Sequence, residues 1–299
     1  MRKINIDKIF DDSKIKEMSG KTIQKNMISK IINNDSDVYY KGRLIARFRK
    51  NVLPRKNIEL FYNNVISFAK NTNYNRGELM GVEKGKRGRF TNKTGAKTNI
   101  IGYMDGFSPS QKIIMKKLKI KSPMTIRKTR FVDKYPDKWN KTIPLIKNID
   151  SLYKSLIPLK HKKQNNKARR MKFRIKNTSF TTVTTNVNVD TKIHKDKGDD
   201  EEGFGNLTVI EKGDYTGGET CLPQYGIGFN VRSGDILFMD VHEWHGNLPI
   251  KLKTPDSIRL SIVCYLRTNI FKQEMKFNKT QKNKHNKFLE KLTKKNRLK

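Results

Sequence analysis

Hydrophobic positions recur at three- and four-residue steps in two stretches of the chain. Leu60, Phe61, Val65 and Phe68 do so within Asn57–Lys70, and Trp139, Ile143, Ile146, Ile149, Tyr153 and Leu156 within Pro136–Leu156. Both patterns predict amphipathic helices with one buried face. A weaker helical pattern runs through Ile23, Met27 and Ile31 in the polar first 40 residues, and Arg43-Leu44-Ile45-Ala46 suggests a short strand. The texture changes at Phe180. Phe180–Val189 alternates Thr, Val and Asn, and Gly205–Ile210, Ile227–Val231, Asp235–Asp240 and Ile258–Leu266 are short apolar runs. Turn signals at Gly213-Asp214, Gly217-Gly218 and Ser233-Gly234-Asp235 separate them, which predicts a β-sandwich or barrel.

Composition adds a polyanion partner to this picture. The 299 residues carry 65 Lys+Arg against 28 Asp+Glu, a net charge of +37. Phe180–Ile270 holds 9 basic and 13 acidic residues, a net of −4, so the rest of the chain carries +41. Basic clusters lie at Lys112–Arg130, at Lys160–Lys176 and in Phe271–Lys299, the last with 11 basic and 2 acidic residues. Basic flanks around a near-neutral core suit nucleic acid, because each neutralised phosphate releases a counterion. The excess of Lys and Asn would also follow from an A+T-rich coding sequence, so charge alone does not decide. No run of 18 apolar residues and no secretory leader is visible, which favours an intracellular protein of cytoplasm, nucleus or virion over a secreted or membrane one. Two cysteines cannot make a disulfide framework or a four-thiolate zinc site.

The chemistry concentrates in the β-rich window. In Ile193-His194-Lys195-Asp196 the histidine and aspartate are two residues apart, so a strand presents them on one side. His242 or His245 follows the apolar strand ILFMDV and supplies a second imidazole. Two histidines and a carboxylate on one face leave open coordination positions, the arrangement of non-haem Fe(II) oxygenases. Arg259 and Ser261 share a face of the last strand, where a guanidinium and a hydroxyl suit one end of a dicarboxylate. Asn186 and Asn188 precede His194 and are candidates for hydrogen-bonding cosubstrate or target. Trp244 and Tyr225 are candidates for stacking on a base, against the commoner role of packing. The acidic run Asp199–Glu202 reads as a solvated loop that would repel phosphate.

The order of these motifs resembles the Fe(II)/2-oxoglutarate dioxygenases. H-x-D is followed by Gly217-Gly218-Glu219 with Leu222-Pro223-Gln224-Tyr225-Gly226, then by His245-Gly246-Asn247-Leu248-Pro249, then by Arg259-x-Ser261. The middle two are most similar to the TET/JBP branch, which oxidises the methyl group of 5-methylcytosine or thymine in nucleic acid. The likeness covers roughly residues 180–270, and Asn99–Asp105 is similar to a short element before the core. The resemblance implies an α+β fold with a double-stranded β-helix (jelly-roll) core backed by helices. It implies His194, Asp196 and His245 as iron ligands, His245 being preferred over His242 for its following glycine and its spacing to Arg259. Arg259 would hold the 5-carboxylate of 2-oxoglutarate with Ser261 assisting, O2 would be the co-oxidant and ascorbate a stimulant.

Four regions follow. Residues 1–110 are a basic, partly helical N-terminal region with a Gly/Lys-rich loop at 77–95. Residues 111–179 are a helical support with a basic loop at 160–176, 180–270 are the catalytic core and 271–299 a basic tail. Hydroxylation of a protein Lys or Pro side chain, which the acidic loop would suit, and nucleic-acid packaging without catalysis are the competing functions.

Overall fold

The computed structural model describes residues 2–74, 95–107, 109–117, 119 and 124–297. The expected loop at 77–95 therefore lies, apart from Gly95, outside the described residues. The first elements are β1 (Arg2–Asn5), α1 (Asp12–Glu17), β2 (Lys30–Ile32), β3 (Ser36–Tyr40), β4 (Arg43–Arg49) and α2 (Arg55–Ala69). There follow β5 (Thr98–Met104), α3 (Pro109–Lys117), β6 (Arg127–Lys128), α4 (Arg130–Lys134), α5 (Pro136–Leu156) and α6 (Pro158–Arg169). The β-rich part supplies β7 (Thr182–Val187), β8 (Gly205–Lys212), β9 (Tyr215–Thr216), β10 (Thr220–Leu222), β11 (Ile227–Phe229) and β12 (Ile236–Met239). β13 (Gly246–Asn247), β14 (Lys251–Leu252), β15 (Ile258–Tyr265), α7 (Thr268–Lys276) and α8 (Lys279–Arg297) complete it.

The fold is α+β. A nine-stranded sheet has the order β1-β3-β4-β12-β8-β15-β7-β5-β6, and a four-stranded sheet the order β13-β10-β11-β2. Alternation sorts the large sheet into two faces. Ile101, Val183, Val187, Leu260 and Ile262 face α2 and α5, meeting Phe61, Val65, Ile146 and Tyr153 in one core. Ile45, Phe48, Val209 and Leu237 face the other way, and join Leu222, Ile227 and Phe229 of the small sheet in a second core between the sheets. The residues between those of the helix-facing set on β5, β7 and β15 therefore line the inter-sheet side. There Thr98, Asn186 and Ser261 stand in register across three strands.

Several expectations change. Ile23, Met27 and Ile31 do not share a helix: a single turn at Lys25–Met27 leads into β2, because strand pairing with β11 satisfies more backbone than a short isolated helix would. Residues 2–49 supply strands to both sheets rather than standing outside them. The stretch 160–176 is not a loop through its first ten residues, which belong to α6. Pro158 opens that helix, and its buried stripe is His161, Gln164 and Ala168, a helical spacing hidden from a hydrophobicity pattern because two anchors are polar. The segment 271–299 is helical over most of its length, and His285 is buried, its Nε2 2.6 Å from the Ile126 carbonyl oxygen. Among the described residues no helix is long and apolar enough to cross a membrane.

Candidate metal and cosubstrate site

Just beyond β7 the chain turns through Asn188, whose φ of 52° lies in the left-handed region that asparagine tolerates. Its side-chain carbonyl accepts the Arg259 N–H at 2.7 Å and its amide donates to the Ser257 carbonyl at 2.9 Å. Asn188 thus fastens the end of β7 to the start of β15 through both its amide atoms.

The two histidines are brought together by the backbone. His194 N–H donates to the His245 carbonyl at 2.9 Å, and His245 N–H returns the bond to the His194 carbonyl at 2.9 Å. Gly246 makes this approach possible, since a Cβ there would lie 2.8 Å from the Thr191 carbonyl oxygen and 2.9 Å from that of Lys192. Each imidazole is oriented by a carbonyl two residues before it. His194 Nδ1 lies 2.8 Å from the Lys192 oxygen and His245 Nδ1 2.9 Å from the Glu243 oxygen. Nδ1–H donates in each pair, so both Nε2 atoms present their lone pairs, the tautomer a metal ligand requires. They face Asp196, at 3.6 Å from His194 and 3.8 Å from His245. Ligand atoms of His194, Asp196 and His245 all lie within 4.8 Å of one another, and among the described residues this is the group able to hold a metal ion. Burial, reinforced by His194, pushes the His245 pKa down to about 4, which keeps it in its ligating form.

His242 is not in that group. Its Nδ1 is 3.1 Å from the Asp196 carbonyl oxygen, a position that donates a hydrogen bond across the site. A network unforeseen from the sequence underlies the 240–245 turn. Arg43 on β4 donates to Asp240 at 2.5 Å and also to Glu243, Asp240 accepts the His242 N–H at 3.1 Å, and Tyr225 Oη donates to Glu243 at 2.9 Å. No local signal could reveal it, because Arg43 and Glu243 are 200 positions apart.

Arg259 is 4% exposed, and its Nε and Nη2 have no partner among the described residues. Burial lowers its pKa more than the nearby Tyr215, Glu211 and Glu219 can offset. Leaving guanidinium donors buried and unmet is costly, so the site suits an anion that reaches them. Gly218, at φ 76°, gives the side chain room: a Cβ there would sit 2.7 Å from Arg259 Nε. Ser261, two residues along the same face, accepts from the Asn186 amide at 3.2 Å, while Asn186 Oδ1 is buried without a partner. The donor set and the unmet guanidinium fit a divalent metal with a dicarboxylate.

Tyr225 is packed against Tyr40 at 5.3 Å between centroids and is 3% exposed, so it is not a stacking platform. Trp244 is half-buried with the Lys195 ammonium 5.1 Å from its ring centroid. The acidic run is only partly a solvated loop, with Glu201 and Glu202 exposed and Asp200 buried. Asp200 is 6% exposed and lies 2.5 Å from Lys167, and Glu202 pairs with Lys167 and Lys163 at 2.7 and 3.3 Å. Lys163 and Lys167 of α6 are thus paired with two of the four carboxylates, which weakens both the expected repulsion of phosphate and the basic cluster.

Comparison with known proteins places these residues in a wider context. Residues 113–268 match the Tet_JBP family, described as the oxygenase domain of the 2OGFeDO superfamily. The thymine dioxygenase JBP1 of Trypanosoma brucei brucei is 34% identical over 149 residues, 49% of this chain and 18% of that protein. The bifunctional helicase and thymine dioxygenase JBP2 of Leishmania infantum is 36% identical over 127 residues, 42% of this chain and 11% of that protein. The chain thus spans less than a fifth of the length of these relatives. A solved structure of NgTET1 in complex with 5mC DNA has the same fold at a TM-score of 0.50 and 13% identity, covering 87% of this chain and 92% of that one.

Proposed function

The chain belongs to the Tet_JBP family of 2OGFeDO oxygenase domains, and from that premise we propose that it hydroxylates the methyl group of a pyrimidine base, thymine or 5-methylcytosine, in nucleic acid. The observation that carries this reading is the His194–Asp196–His245 group beside a buried arginine with unmet donors. The likeness to thymine dioxygenases and to the 5mC DNA complex points to the substrate class. The two facing sheets form the double-stranded β-helix, and the basic surface holds phosphates.

His194 and His245 would hold Fe(II) through Nε2 and Asp196 through its carboxylate. With 2-oxoglutarate bound, the metal supplies oxidation of a C–H bond at the expense of O2 and cosubstrate decarboxylation. Arg259 takes the far carboxylate of the cosubstrate through its unmet Nε and Nη2 donors, and Ser261 donates its hydroxyl beside it. Asn186 orients Ser261. Asn188 holds the backbone on which Arg259 sits. His242 braces the carbonyl of Asp196, and the buried walls between the sheets exclude water from the reacting centre. A base in a duplex would be flipped out to reach the metal. On this reading the protein works inside a cell.

The competing protein-hydroxylase reading draws on the acidic loop, in which Asp200 and Glu202 are already paired with lysines of α6. Cosubstrate turnover, followed as succinate, tests the two against each other. Stimulation by thymine- or 5-methylcytosine-containing DNA supports the base reading. Stimulation by a Lys- or Pro-containing peptide alone would transfer the activity to proteins, and no turnover with His194-dependent iron bound would leave a packaging role.

A further inference from the structure

The basic residues of 160–176 divide into two sets by their partners. Lys163 and Lys167 on α6 are paired with Glu202 and Asp200. Beyond the helix, Arg174 and Lys176 form no ion pair among the described residues, although Arg174 is half-buried. These two cations border a cavity of about 230 Å³, whose walls include Trp139 and Ile143 of α5 and Tyr103 of β5. The cavity lies at the seam between two cores, Trp139 and Ile143 packing against one and Tyr103 against the other.

This cavity is separate from the metal site. Tyr103 follows Gly102, which is in register with Thr182 at the start of β7, whereas His194 lies beyond the other end of that strand. Thr182 and Val187 are five residues apart, roughly 16 Å of extended chain. Tyr103 also shares the helix-covered face of the sheet with Ile101, opposite to Asn186 and Ser261.

We propose that this cavity is an accessory nucleotide-binding site, taking one unpaired base of a nucleic-acid strand between Trp139 and Tyr103 with its phosphate on Arg174 and Lys176. Aromatic side chains accept any base face, and a guanidinium with an ammonium at the rim suits a phosphodiester. The volume falls below the range of drug-sized ligand pockets, which favours a single base over a larger molecule. Asn140 at the mouth offers both a donor and an acceptor to a base edge. Two acids act on Tyr103: Glu274 of α7, whose carboxylate accepts the Lys172 and Phe173 N–H groups at 2.9 and 2.8 Å, and Asp133 of α4, which already has a partner. Neither lines the cavity, whose charged wall residues are Arg174 and Lys176. The inference rests on the nucleic-acid reading for its ligand, and it places a second contact on the strand away from the reacting base.

Trp139 and Trp244 are the two tryptophans of the chain, so the Trp244→Phe variant isolates the emission of Trp139. Titration of that full-length variant with a 12-nucleotide single-stranded oligonucleotide is expected to quench the emission. An equal concentration of inorganic phosphate should not. Arg174→Glu with Lys176→Glu should weaken oligonucleotide binding about tenfold and flatten its salt dependence by about one phosphate. Lys56→Glu, an exposed charge reversal on α2, controls for loss of positive charge elsewhere on the surface and should change binding less than threefold. Absence of quenching, quenching by phosphate alone, or equal loss in the Lys56→Glu control would each overturn the assignment. Base oxidation measured in parallel on the native protein, supplied with Fe(II) and 2-oxoglutarate, keeps the two readings apart. Oxidation without quenching rejects the accessory site only, and quenching without oxidation rejects the proposed activity only.

Discussion

His194 and His245 exchange both of their backbone hydrogen bonds, at 2.9 Å each way, although 51 residues separate them. This two-residue bridge fixes the spacing of the imidazoles before any metal is considered, and the carbonyls of Lys192 and Glu243 then set their tautomers. The site is therefore built by main chain first and side chain second, and the consequences can be tested one residue at a time.

His245 and His242 separate cleanly. His245→Gln is expected to abolish tight Fe(II) binding. His242→Gln removes only a brace to the Asp196 carbonyl and should weaken binding by about tenfold, the scale typical of groups that orient metal ligands. Calorimetric titration with Fe(II) under anaerobic conditions checks both. Equal losses would make His242 a ligand.

Arg259 gives a prediction of unusual sign. Its buried donors are unmet in the ligand-free protein, so Arg259→Met should leave Tm unchanged or raise it. The same change should raise the KM for 2-oxoglutarate by roughly tenfold or more, since charge-assisted hydrogen bonds contribute about 1.5–3 kcal/mol. Thermal melting reads the first effect, and succinate formation against 2-oxoglutarate concentration reads the second. A large fall in Tm with no change in KM would mean that Arg259 serves packing alone.

Arg43 ties an N-terminal strand to the turn that carries His245. Arg43→Met should weaken Fe(II) binding by about tenfold, with partial recovery in Arg43→Lys, which keeps one of the two ion pairs. Metal titration of the three proteins is the measurement, and unchanged affinity in Arg43→Met would confine Arg43 to surface stability.

Lys167 is expected to act on folding rather than on nucleic acid. Removing its ammonium in Lys167→Ala leaves Asp200 buried without its charge partner, a loss of about 1–3 kcal/mol. Denaturant unfolding should show this, while oligonucleotide affinity falls less than in Arg174→Glu. The reverse ranking would mean that α6 contacts the strand.

Legibility in the sequence followed the range of the interactions. α5 spans Pro136–Leu156 as its periodicity predicted, because Ile146, Ile149 and Tyr153 bury apolar surface at helical spacing. The i, i+2 spacing of His194 and Asp196 and the resemblance pointed to the group with His245, but the pair lies at an isolated bridge with His245 outside the named strands, a contact that no local strand pattern reveals. α6 was missed because its inward stripe is His161 and Gln164, the latter donating to the Ser179 carbonyl at 2.9 Å. The burial of Asp200 within the acidic run is not legible, because nothing near it in sequence reveals Lys167, 33 positions away. The strands of residues 2–49 were obscured by their high charge, which the structure accommodates through pairs such as Asp37 with Arg47 and Arg49 at 2.6 and 2.8 Å.

The central claim is that the His194–Asp196–His245 face oxidises a pyrimidine methyl group. Mass spectrometry of nucleosides tests it most directly, after incubating the purified protein with Fe(II), 2-oxoglutarate, ascorbate and DNA containing thymine and 5-methylcytosine. New nucleosides heavier by one oxygen, present with the native protein and lost in His194→Ala, are the predicted result. Unchanged nucleosides from a protein that binds Fe(II) and 2-oxoglutarate would contradict it.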